Sequence, residues 1–246
     1  MAINMRDAGP VAGALAATDS EALYRVKRIG TGLCFIVFPM IWVTAFSVHP
    51  HLMAPRFALG PEALIHRAHG NGLLQFAHAL VTLNTAILVV IALHFMKRLE
   101  GTSAAWAGLV GAACAVVGAC LLAADKGALC LTMSALDTLP EPQFAATMPG
   151  LVAIFSFKGW MGLVWGLLLM PLGVIIQTVG LWRTRVFPRW QAGLLLVSVA
   201  LVGFPDGAEI INLIAATGMA GAMVPYGAEL LGPVSTTRAR TAGEPW

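Results

Sequence analysis

The chain has 246 residues, of which 58% are hydrophobic and only 11% charged, and its mean hydropathy is +0.80. A water-soluble domain dresses its surface with about 25% charged residues, so this composition excludes a soluble globule, and equally a disordered, coiled-coil or collagen-like chain. The net charge of +3 is not gathered on one stretch, which excludes a nucleic-acid partner.

The remaining class is an all-α, polytopic integral membrane protein whose first partner is the lipid bilayer. A hydrocarbon core of about 30 Å takes roughly 20 apolar residues in a helix. After a polar head over 1–28, residues 29–48 supply the first such run. It is too long for the h-region of a signal peptide, and Ala45-Phe46-Ser47 resembles a cleavage site only loosely, so it reads as a retained anchor. A polar outer loop follows over 49–71. The second run is 72–96, bounded by Lys97 and Arg98, and the third is 104–124, stopped by Asp125 and Lys126. The fourth, 159–182, ends at Arg183, Arg185 and Arg189, and Pro171 is expected to kink it in the middle.

The last stretch has two readings. Residues 190–204 reach only about 22 Å at the helical rise, and Gly203-Phe204-Pro205-Asp206-Gly207 is a strong breaker before a final run over 209–232. Either these are a short fifth and a sixth span, or one kinked span with a surface tail. Positive charge favours six. With both termini cytoplasmic and a tail over 233–246, eleven of the fifteen basic residues lie inside: Arg6, Arg25, Lys27, Arg28, Lys97, Arg98, Arg183, Arg185, Arg189, Arg238 and Arg240. Every inner segment is then basic, as the positive-inside rule requires. The expectation is a six-transmembrane-helix bundle in a bacterial-type inner membrane.

Two runs carry seams of small residues: Ala104, Gly108, Gly111, Ala115 and Gly118 in the third, and Gly159, Gly162, Gly166, Gly173 and Gly180 in the fourth. Such spacing lets membrane helices approach closely. The cysteines Cys34, Cys114, Cys120 and Cys130 form no C-x-x-C or zinc spacing.

The polar residues fall on the outer side. In the second run Asn71, Gln75, His78, Thr82 and Thr85 step by four and three, one stripe of a helix that lipid cannot satisfy. Asp206, Glu209 and Asn212 share a face in the same way. Both stripes predict an outward-facing polar cavity, to which the second, third, fourth and sixth runs contribute. His78, Asp206 and Glu209 are its candidate acid–base residues, with Lys126 or Lys158 balancing the charge and Asn71, Gln75, Asp125 and Asn212 lining it. His94, beside Lys97, reads as a head-group-level residue.

Mixed nitrogen and oxygen ligands from His66, His69, His78 and Glu209 give a possible divalent transition-metal site, although no metal motif fixes their spacing. Haem is disfavoured, since the later runs offer no partner histidines. The expected function is to bind or transform a small or lipid-like molecule at the outer leaflet, with or without the help of a metal. Ion-coupled transport of a small solute and an accessory subunit docking a membrane partner are the alternatives.

Overall fold

A computed structural model describes residues 10–49, 52–53, 60–155, 166–202 and 209–233, with side chains from residue 21 onward except those of Leu64 and Phe155. Lys158, Asp206, the Gly203–Gly207 breaker, the start of the fourth expected run and the tail from residue 234 lie outside the described residues. Among the described residues the regular structure is helical throughout: α1 (Pro10–Ser47), α2 (Pro61–Ala68), α3 (Gly72–Leu99), α4 (Ala105–Leu136), α5 (Glu141–Phe155), α6 (Leu169–Thr184), α7 (Arg189–Val202) and α8 (Glu209–Leu231). Five helical stretches are long and apolar enough to cross a membrane: Glu21–Ser47, Gly72–Leu99, Ala105–Leu136, Gly166–Thr184 and Glu209–Leu231. At 14 residues, α7 is shorter.

Several helix limits depart from expectation for local reasons. The polar head does not stop α1, because its alanines and Glu21, Ala22 and Leu23 are good helix formers. Asp125 and Lys126 do not stop α4. Their side chains pair with each other at 3.0 Å, so the helix carries both charges and runs on to Leu136. Its 32 residues rise about 48 Å, well beyond a core of about 30 Å. The last turns therefore stand clear of the hydrocarbon with the first turns of α3. Against them pack α2 and α5, two helices in segments expected as loop, around Ile65, Met133, Phe144 and Leu151. Pro171 lies in the first turn of α6, where a missing N–H is tolerated, and not in mid-helix.

The bundle has two chemically distinct ends. Lys97, Arg98, Arg183, Arg185 and Arg189 mark the basic end, where Trp106, Trp182 and Trp190 are exposed as an aromatic belt at a membrane interface would be. His49, His69 and His78 mark the opposite, histidine end. Between them Leu83, Val117, Val197 and Ile214 point outward, as lipid-facing side chains do.

Backbone proximity holds the bundle together. A methyl group added at Gly173 would meet the backbone of Ala115 and the carbonyl of Gly111, so the two predicted seams pack on each other. Gly32 and Gly227 bring α1 and α8 together in the same way. At the α3–α4–α6 junction Gln177 is fully buried, and its Nε2 donates to the carbonyls of Ala92 at 2.9 Å and Gly108 at 3.1 Å. A buried amide that satisfies carbonyls of two neighbouring helices ties three helices at one level.

Candidate functional site

The predicted polar stripe of α3 faces protein along its length, but it does not line one cavity. It divides between two clusters at the histidine end.

The first lies where the last turns of α4 meet the first turns of α3. Asn71 caps α3, its Oδ1 accepting from the Leu74 N–H at 3.0 Å. Gln75 donates to Asp137, and the Gly70 N–H donates to the same carboxylate oxygen at 3.1 Å. His69 Nδ1 meets the other oxygen at 2.6 Å, while its Nε2 lies 3.6 Å from Glu141. The imidazole stacks on Phe144 with ring centroids 3.8 Å apart. Partial burial on its own raises the Asp137 carboxyl, but the bonds from Gln75, Gly70 and His69, with the His69 charge, together hold it below the ordinary carboxylate range. Cys130 on α4 donates its thiol to the Gln75 carbonyl at 3.3 Å, closing the cluster.

The second cluster lies at the membrane boundary and joins three helices. His49, just past α1, places Nδ1 3.5 Å from Glu209 Oε1, at the long limit for a hydrogen bond. The other Glu209 oxygen accepts from Asn212 Nδ2 at 3.0 Å. His78 of α3 lies against His49, their ring centroids 5.5 Å apart. Glu209 is 5% exposed, so its carboxylate sits in protein rather than in water. Below the cluster an aromatic rail descends one face of α1 from His49 through Phe46 and Trp42 to Phe38, with successive centroids 6.1, 5.3 and 5.9 Å apart. Trp42 and Phe38 then form part of the wall of a cavity of about 30 Å³ in the middle of the bundle. Its lining also includes Leu88, Ile91, Val174 and Leu195 and the flexible side chains of Met170, Met219 and Met223, and no charged residue.

Three expectations change on this geometry. Lys126 balances its neighbour Asp125 and not Glu209, whose basic neighbour is His49. His66, His69, His78 and Glu209 do not assemble as ligands: His66 is exposed, His69 is engaged by Asp137 and Glu141, and His78 and Glu209 gather instead around His49. Among the described residues no three His, Cys, Asp or Glu side chains form a group able to hold a metal ion. His94 does not sit at head-group level. It turns into the bundle, with Nε2 2.8 Å from the Tyr226 hydroxyl and its ring edge-on to Phe35. The residue that sequence reasoning passed over is His49. Its spacing from Trp42 and Phe46, seven and three, already put it on their helical stripe.

Comparison with known proteins gives no match to a family model, a curated protein or a solved structure.

Proposed function

We propose that this membrane protein crosses the bilayer six times, basic end cytoplasmic, and binds an amphiphilic, lipid-like molecule at its outer end. Six crossings are supported by the chain path. Arg185 closes α6 at the basic end and Glu209 opens α8 beside His49, so α7, which lies between them in sequence, is read as the return crossing. The positive-inside rule then sets the orientation, in a bacterial-type inner membrane.

The observation that carries the binding reading is a buried carboxylate, Glu209, flanked by His49 and Asn212 and set directly above an aromatic rail into an apolar interior. Such a site suits a molecule with one hydroxyl-like group and an apolar body. A hydroxyl donates to the carboxylate and accepts from an imidazole N–H, while the body follows Phe46 and Trp42. The small cavity widens as the three methionines change rotamer, which their unbranched side chains do readily. His78 stands beside His49 to complete the polar rim.

Mass spectrometry of amphiphiles extracted from protein purified in mild detergent tests this reading. The wild type retains one hydroxyl-bearing class, and Glu209→Gln loses it roughly tenfold, the size of one hydrogen bond to a charged group. Identical retention by both proteins refutes it. Transport is the second reading, favoured by the His94–Tyr226 pair at the opposite end of the same apolar interior. Flux in proteoliposomes that disappears in both Glu209→Gln and Tyr226→Phe would select it.

A further inference from the structure

At the basic end the side chains converge on a different chemistry. Arg28 lies seven residues before Phe35 on α1, hence on the same inward face and about 10 Å closer to that end by helical rise. Arg98 follows His94 by one turn on α3, and Phe35 packs edge-on against the His94 ring. Both arginines therefore lie toward the basic end from the ring group of Phe35, His94 and Tyr226. Arg98 is fixed there, its Nη2 donating to the Val186 carbonyl at 3.0 Å. Arg185 directs that carbonyl by ending α6 in the left-handed region, at φ 61°. Arg28 Nε is buried with no acceptor among the described residues, and so is the acceptor Gln191 Oε1 at the start of α7. An orphaned buried guanidinium nitrogen is expensive unless an anion or water meets it. Among the described residues, the acids of this end, Glu21, Glu100 and Glu229, are exposed and none bridges to Arg28.

We infer that the basic end is a binding site for a phosphate group, with Arg28 and Arg98 as its guanidinium donors. Arginine is suited to this because its planar fork matches phosphate oxygens two at a time. The phosphate belongs either to an anionic lipid of that leaflet or to a soluble phosphate compound.

Thermal stabilisation of the full chain in detergent distinguishes them, using dioctanoyl phosphatidylglycerol, inorganic phosphate, and dioctanoylglycerol as the tail-only probe. Phosphatidylglycerol stabilises the wild type and dioctanoylglycerol does not. Stabilisation by inorganic phosphate as well assigns the site to soluble phosphates, and its absence assigns it to lipid. Arg28→Gln weakens the effective probe roughly tenfold, as expected for one charge-assisted bond, while Lys27→Gln, which removes an exposed charge one residue away, leaves it unchanged. Should Arg28→Gln not fold, Arg28→Lys takes its place and is expected to bind several-fold more weakly, since the charge remains without the fork. Equal losses in the Arg28 and Lys27 variants, no loss in either, or no stabilisation by either phosphate probe would overturn the inference.

Discussion

His49 and Glu209 meet at 3.5 Å although they stand 160 residues apart, one closing the first helix and the other opening the last. Glu209 divides its two oxygens between His49 and Asn212. Replacing Asn212 by leucine removes the hydrogen bond it donates to one of those oxygens. The expected loss is about 1–3 kcal/mol, read as an earlier thermal unfolding transition. His66→Ala, at an exposed position, leaves the transition where it was.

The glycine seam makes a second prediction. Gly173→Ala puts a methyl group into the backbone of Ala115 and the Gly111 carbonyl, whereas Gly150 and Gly193 have open space around them. Gly173→Ala is expected to destabilise the bundle by about 1–3 kcal/mol, the usual range for overpacking. Gly150→Ala and Gly193→Ala should fold as wild type. Unfolding in mixed micelles ranks the three, and equal stability of all three would remove the close α4–α6 contact.

The Asp137 cluster is expected to respond to acid. The Asp137 carboxyl is held below its ordinary value of 3.8 in the folded protein. A carboxyl lowered on folding contributes stability that is complete above the unfolded value and is lost as pH falls through the folded one. Amide protection of α2 and α5, corrected for intrinsic exchange, should therefore fall in the wild type on acidification below about pH 4. Asp137→Asn should show weaker protection already at neutral pH and no further drop in that window. An acid transition unchanged in Asp137→Asn would assign it to another carboxyl.

The pair at the other end is coupled. His94 and Tyr226 share a 2.8 Å hydrogen bond within a group of aromatic rings. A double-mutant cycle of His94→Phe and Tyr226→Phe should give a coupling energy of about 0.5–1.5 kcal/mol, typical of a buried neutral hydrogen bond. Strict additivity would mean the two rings are merely neighbours.

Much of this was legible in the sequence, and the parts that were not have a common cause. Hydropathy located the long helices because lipid imposes a length, and Gly111 and Gly173 announced their seam because only small residues let backbones touch. The stripe on α3 correctly placed Gln75 and His78 on a protein-facing side. They are three residues apart, so they point about 60° apart around the axis, and that angle sends Gln75 to Asp137 and His78 to His49. Periodicity reports which face a residue takes and is silent on which neighbour it meets. For the same reason spacing leaves Lys126 a choice among Asp125, Asp206 and Glu209, and the fold pairs it with the adjacent Asp125. Helices α2 and α5 were hidden because, at 8 and 15 residues, both are too short for the membrane-thickness rule to reveal them. Only Ile65, Phe144 and Leu151 betray them, by packing on the projecting end of α4 at Met133.

Photo-crosslinking with a diazirine-bearing long-chain alcohol, followed by peptide mapping, addresses the amphiphile site most directly. The adducts are predicted to fall on Trp42, Phe46 and the facing turn of α8, to be competed by unlabelled alcohol, and to drop about tenfold in Glu209→Gln. Adducts scattered over the lipid-facing residues Leu83, Val117 and Val197, with the same yield in Glu209→Gln, would contradict it.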